Sequence, residues 1–351
     1  MPNEEKKLLP GVGVDVGTAN IVVTRRFDDG SFSIKHHRNM LFEMDISDEA
    51  QDLLERSKFL YLKLENKYFI VGEDALTVAN AIGKGEIVRP MQNGLLNPSL
   101  KRAQDLLFFI LKTVLGKPLV EKESLRFSVP ASPVDAPIDN EFHKMVLQDF
   151  FDSLGFSAKP INEALANLYS EQPVMKVAGE PDRQLTGYAI SFGAGMANSC
   201  FAMNGMSLVE FSNTKCGDHI DWKVSTISGV PVPKIIKTKE RDLDLSKPDQ
   251  SDKVLMGLSV YYTEMMKRVV KHIAVELTKT DRSFDGPVEM VVCGGTAMAK
   301  GFIEKLKKVV NEIELPFKVA DVRMAKEPFF SVSQGSCFAA RADWEKLQKG
   351  K

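Results

Sequence analysis

Hydrophobic positions in this 351-residue chain recur with two different periods, and the change from one to the other marks out its elements. Val12, Val14 and Val16 alternate with Gly13 and Asp15, the period-two pattern of a buried strand. Gly17-Thr18-Ala19-Asn20 then makes a tight turn and Ile21-Val22-Val23 opens a second strand, so residues 11–23 read as a hairpin. The same order returns at 188–201, where Ser191 and Phe192 lead into Gly193-Ala194-Gly195 and out through Met196, Ala197 and Asn198. A third apolar strand, 288–293, runs into Gly294-Gly295-Thr296-Ala297 and then a helix.

Helical spacing fills much of the rest. Asn97-Pro98 predicts a helix start, an N-cap followed by Pro at the first position. Leu100, Ala103, Leu107, Ile110, Leu111 and Val114 carry its apolar face to a stop at Gly116. Phe142, Met145, Val146 and Phe150 mark another helix, closed by Gly155, and 164–171, 254–278 and 301–313 are further ones. A last helix begins around 333–336. Strands are expected at 31–36, 125–129, 207–211 and 317–320, with a hairpin formed by 59–64 and 67–72. Residues 40–57 predict a loop plus a short helix, 73–81 a helix, 1–10 a polar lead-in and 177–184 a turn-rich solvent loop. Val230-Pro231-Val232-Pro233 breaks any long helix, and the charge-dense stretch after it predicts a surface loop over 237–252.

Each Gly hairpin has a chemical use and a plain one. Backbone N–H groups of the turn can cradle phosphates while Asp15, at the strand end, holds the hydrated metal that neutralises them. An ordinary hairpin with a turn glycine is the plain alternative, and one motif does not decide between the two. Two such hairpins, one in each half, point to a duplicated α/β chain gripping a nucleotide between its halves. Composition removes other classes: 44% hydrophobic and 26% charged residues are ordinary for a globular chain of about two domains. A net charge of −1 gives no electrostatic case for nucleic acid or an anionic membrane. The five His and four Cys lack metal-ligand spacing, His36 and His37 would face opposite sides of one strand, and Cys200, Cys216, Cys293 and Cys337 read as buried thiols. The outer lysines of 301–313 read as a solvated face, and Met265-Met266 as core filling. No apolar run reaches membrane-spanning length and the N-terminus has no signal-peptide core, so a cytoplasmic place is expected.

With Arg89-Pro90-Met91-Gln92-Asn93-Gly94, Val129-Pro130-Ala131, Ile161-Asn162-Glu163-Ala164 and Gly217-Asp218-His219-Ile220-Asp221 in order between and after the hairpins, nearly the whole chain resembles the actin-like ATPases, most closely bacterial actins of the MreB and MamK kind. The resemblance implies an α/β fold of duplicated actin-like (ribonuclease H-like) domains around a central nucleotide cleft. The first domain would span 1–160 with a small outer subdomain at about 36–85. The second would span 161–333 with an outer subdomain at about 222–253 that looks heavily reduced, and 334–351 would return to the first. The implied ligand is ATP, with GTP as the alternative, bound with Mg²⁺. Gly17, Thr18, Ala19 and Asn20 would approach its phosphates from one side and Gly193, Ala194 and Gly195 from the other. Gly294, Gly295, Thr296 and Ala297 resemble the turn that contacts the nucleoside and α-phosphate, and Gly217, Asp218 and Lys237 complete the nucleotide-binding set. Asp15 would act on the metal through water, and Glu163 near the γ-phosphate would orient the attacking water; its plain alternative is a first-turn Glu facing the helix dipole.

Three departures from the family pattern bear on rate and shape. Ser191 stands where the second hairpin has an Asp, Met196 where it has a Thr, and Cys216 where a first Gly precedes Gly217. The expected consequence is nucleotide binding on backbone contacts with slow hydrolysis, and Cys216 puts close backbone approach at its position in question. Two functions follow from the resemblance. One is a filament-forming cytoskeletal ATPase whose main partner is itself, with a cargo or adaptor protein left unidentified. The other is a non-polymerising nucleotide switch or chaperone-like ATPase of the same fold, although the chain leaves no room for the substrate domain of heat-shock chaperones. No signal points to a sugar-kinase carboxylate.

Overall fold

The computed structural model describes residues 6–82, 86–171, 186–280 and 286–349; the loop expected over 177–184 lies outside them. The first half opens on an antiparallel meander of β1 (Leu8–Val16), β2 (Asn20–Phe27) and β3 (Phe32–Arg38). Val12, Val14 and Val16 are buried, as the alternation requires. A small unit follows: β4 (Leu41–Asp45), α1 (Asp48–Ser57), β5 (Tyr61–Leu64), β6 (Lys67–Val71), α2 (Glu73–Ile82) and β7 (Glu86–Val88), its sheet ordered β5-β6-β4-β7. Residues 41–45 form β4 rather than the expected loop, because Leu41 and Phe42 are buried opposite Val71 and Ile70. Two short strands, β8 (Met91–Gln92) and β9 (Leu95–Leu96), flank Asn93-Gly94. Helix α3 (Ala103–Leu115) starts later than Asn97-Pro98 predicts, since Asn97 Oδ1 accepts the N–H of Ser99 in a local turn. Then β10 (Glu123–Val129) pairs in parallel with β1 and, after α4 (Glu141–Ser153), β11 (Phe156–Asn162) pairs in parallel with β10. The sheet order is β11-β10-β1-β2-β3. Helix α5 (Glu163–Glu171) leaves β11 directly, its first turn capped by Asn162 Oδ1 on the N–H groups of Ala164 and Leu165.

The second half repeats this plan. A meander of β12 (Gly187–Phe192), β13 (Ala197–Met203) and β14 (Met206–Asn213) is followed by α6 (Gly217–Ser228), α7 (Val232–Arg241) and α8 (Lys253–Thr278). Next come β15 (Val288–Cys293), parallel to β12, and a 3₁₀ turn Gly295–Met298. Helix α9 (Phe302–Glu312) and β16 (Val319–Met324), parallel to β15, complete a sheet ordered β14-β13-β12-β15-β16. Each sheet is thus a meander with two parallel strands added beside its first strand. Helix α10 (Ser331–Lys349) returns to pack on α5 and β1 of the first half.

Residues 222–253 hold no strand, consistent with a reduced outer subdomain, but they are not the surface loop expected over 237–252. Pro231 and Pro233 sit at the start of α7, where a missing N–H costs nothing, so they begin a helix as well as ending one. Ile235, Ile236, Leu243 and Leu245 are all buried and anchor the segment, while its charges point outward or into ion pairs.

Candidate functional site

Both meander turns face one cavity of about 960 Å³ between the halves, within the range of nucleotide-sized sites. Gly17 donates to Asn20 O at 3.0 Å and Gly193 donates to Met196 O at 2.9 Å, so the two turns close in the same way. Asp15, Gly17, Thr18, Ala19 and Asn20 line the cavity on one side, and Ser191, Gly193, Ala194 and Gly195 on the other. Gly294, Gly295 and Thr296 also line it, as does Glu163 beside Ser191. The turns also touch. A Cβ on Gly195 would lie 2.4 Å from Gly94 N and 2.4 Å from Thr18 Oγ1, so only glycine lets the second turn come this close. Thr18 Oγ1 in turn accepts the Gly94 N–H at 3.0 Å.

Several predicted site residues hold the second turn from behind rather than facing the cavity. Asp218 N–H donates to Ala194 O at 2.8 Å, and Gly193 O accepts from Thr296 Oγ1 at 2.8 Å and from Gly217 N–H at 3.4 Å. A Cβ on Gly217 would meet Thr296 Oγ1 at 2.5 Å, so the close approach is made there. Cys216 is compatible with it: its buried Sγ donates to Gly193 O at 2.9 Å. The Asp218 carboxylate pairs with Arg89 at 2.8 Å, which ties the Arg89–Gly94 segment of the first half to α6. Ala297 is buried in the 3₁₀ turn and its N–H donates to Gly294 O at 3.0 Å. Lys237 is exposed and is not brought to the cavity; two residues on, Lys239 lines it and donates to the buried Asp221 Oδ2 at 2.6 Å. With Ile235 and Ile236 facing the interior, the phase of α7 turns Lys237 to solvent.

The two cavity carboxylates are differently held. Asp15 Oδ1 accepts from Ser128 Oγ at 2.8 Å, and that hydroxyl accepts the Val16 N–H at 2.9 Å. Glu163 Oε2 accepts from Ser191 Oγ at 3.3 Å. Burial pushes both above the ordinary carboxylate range; Ser128 moderates the shift at Asp15, while the charge of Asp15 adds to that at Glu163. Two desolvated carboxylates around Gly turns suit a cation accompanied by polyphosphate. Among the described residues no group of three or more His, Cys, Asp and Glu could enclose a metal.

The sequence reading missed the wall opposite the turns. Arg38 donates from both terminal nitrogens to Glu240 at 3.0 Å and from Nε to Glu73 Oε2 at 2.6 Å, bridging the halves at the cavity edge. Beside this bridge Ile236 of α7 is buried in the apolar cluster of β4, β6 and α2. His36, Tyr262 and Phe329 also line the cavity, with His36 edge-on to Phe329. Arg38 and Glu240 lie far apart in sequence and carry no motif, so only the fold brings them together.

A family model described as Volactin matches residues 11–340. No curated protein matches the chain. Among solved structures, a MamK double helical filament superposes with a TM-score of 0.68 at 17% identity, covering 94% of this chain and 98% of that one. MreB 5 of Spiroplasma citri bound to AMPPNP gives 0.67 at 15% identity, with 97% and 99% covered, and its ADP-bound form gives 0.64 at 15%, with 97% and 98% covered. These likenesses establish an actin-like fold of the MreB and MamK kind.

Proposed function

The chain belongs to the Volactin family, and from that premise we propose that it is an actin-like cytoskeletal ATPase that binds ATP with Mg²⁺ between its halves and assembles into filaments. The observation that carries this reading is the pair of Gly turns meeting across one nucleotide-sized cavity that Asp15 and Glu163 also line. In this reading 1–160 and 161–333 are the two moving domains. The solved neighbours include a filament and nucleotide-bound structures, which supports both parts of the proposal.

Backbone N–H groups at Thr18, Ala19 and Asn20 and at Ala194 and Gly195 would bind the phosphate oxygens. Mg²⁺ would neutralise the β- and γ-phosphates, held through its water by Asp15 and positioned by Ser128 behind it. Glu163 would orient the attacking water. Ser191 offers a hydroxyl in place of a carboxylate, so binding survives while the metal's water shell is less firmly held and turnover is slow. Actin-like protofilaments stack head to tail, a heterologous contact that does not close into a ring. Sedimentation and negative-stain microscopy with and without ATP and Mg²⁺ test the assembly. Pelleted filaments that depend on nucleotide are expected. Monomers across a wide concentration range would put the non-polymerising switch first.

A further inference from the structure

Unpaired polar atoms in the interior point to one more participant. Asn198 is fully buried on β13, directly opposite Ser191 in the β12–β13 register. Its Oδ1 accepts the N–H of Ala131 at 3.2 Å, a bond from the first half to the second. That bond fixes the amide's orientation, since a flipped side chain would set N–H₂ against N–H. The other end, Nδ2, is buried and has no hydrogen-bond acceptor among the described residues. A buried donor without a partner calls for a reason.

Glu163 supplies one. The Asn198 amide and the Ser191 hydroxyl both favour the charged form of its carboxyl against the effect of burial. The other carboxylate, Asp15, is held by Ser128, three residues before Ala131. One short segment of the first half, 128–131, therefore holds Asp15 through Ser128 and holds the Asn198 amide across the boundary between halves. The same segment runs on into main-chain bonds with β14. Ser212 N–H donates to Ser132 O at 3.1 Å and Val134 N–H to Ser212 O at 3.0 Å. The Asp135 carboxylate accepts the Thr214 N–H at 2.9 Å. Main-chain bonds of this kind fix the register of the two halves more firmly than long side chains would.

Resting on the ATPase reading above, we propose that Asn198 is a positioning residue for hydrolysis. Its Nδ2 donates to the Glu163 carboxylate when nucleotide is bound, and its bond to Ala131 holds the amide in that aim. In the step it serves, the water oxygen bonds to the γ-phosphorus as the bond to the β–γ bridging oxygen breaks. The bridging oxygen leaves on the diphosphate with the electron pair, and the water proton passes to Glu163 and on to the released phosphate.

A double-mutant cycle tests this, with single-turnover phosphate release from ATP and titration of a fluorescent ATP analogue in Mg²⁺ as its two readouts. Asn198→Leu keeps the side chain's shape and removes both hydrogen bonds. In the native background it should slow release about tenfold and leave affinity within about threefold, and in the Glu163→Ala background it should slow release less than about twofold. If Asn198→Leu does not fold, Asn198→Asp, which retains the acceptor for Ala131 and loses the donor, takes its place with the same expectation. An equal loss in both backgrounds, or a loss of affinity that matches the loss of rate, would reduce Asn198 to a structural role and overturn the proposal. Native protein that binds no nucleotide would overturn the ATPase reading first, and the titration alone reveals that outcome.

Discussion

The two Gly turns are built alike and charged differently. Both are closed by a glycine N–H on the carbonyl three residues later, and both face the same cavity. The first carries Asp15 one residue before its strand end, buttressed by Ser128, and presents the small Thr18 to Gly94. The second carries Ser191 one residue before its strand end and has Met196 where the first has Asn20; the Met196 Sδ lies 3.2 Å from Ser212 Oγ, and the side chain packs beside Gly94 and Pro130. One side is a charge held ready and the other a neutral, packed surface. In the proposed reading, backbone geometry suited to phosphate is present on both sides, whereas the side-chain chemistry of the two sides differs. The expected consequence is that binding and turnover respond to different residues.

The largest break in the comparison is expected where the turns touch. Gly195→Ala places a Cβ against the Gly94 backbone as well as Thr18, and backbone cannot rotate away. It should destabilise the protein by about 1–3 kcal/mol, the usual cost of overpacking, measured by denaturant unfolding. An unchanged midpoint would mean the turns are apart in solution. Next in size is the pH dependence of the nucleotide-free protein. Burial raises Asp15 and Glu163, so the fold favours their protonated forms. Their stabilising contribution is complete below the ordinary carboxylate range and is lost as pH rises through their raised values. Thermal unfolding should therefore show stability falling from pH ~5 to ~8 without Mg²⁺ and nucleotide, with a smaller fall in Glu163→Gln. Rising stability over that range would contradict the placement of the two carboxyls. Ser191→Asp sharpens the contrast by restoring charge to the second turn: phosphate release should rise several-fold, up to about tenfold, with Mg²⁺ present. The smallest effect belongs to the bridge at the cavity edge. Glu240→Ala leaves Arg38 with Glu73 alone, and because Glu240 is partly exposed the loss should speed nucleotide release by no more than about fivefold in a stopped-flow chase.

Much of the fold was legible because its signals are local. The alternation of Val12, Val14 and Val16, the turn glycines and the apolar stripe of α8 each fix their own element within a few residues. Misreadings occur where a distant partner decides. Leu41 and Phe42 form a strand only because Val71 and Ile70 lie opposite, and Asn97 spends its side chain on a turn before the helix begins. The charge count of 234–252 hid four buried apolar residues, and with them the helical phase that exchanges Lys237 for Lys239 at the cavity. The cavity's glycines and carboxylates were readable as motifs. The pairs that set their geometry, Ser128 with Asp15, Ala131 with Asn198 and Arg38 with Glu240, join residues whose spacing carries no signal.

Asymmetry between the turns has one direct test: titration of the same fluorescent ATP analogue, with and without Mg²⁺, into native protein, Asp15→Ala and Ser191→Ala. Native protein and Ser191→Ala should bind alike and more tightly with Mg²⁺, while Asp15→Ala should lose the Mg²⁺-dependent part, about tenfold or more in Kd, equivalent to about 1.4 kcal/mol. Equal affinities for all three, or a Mg²⁺ effect that disappears in Ser191→Ala and persists in Asp15→Ala, would contradict the account.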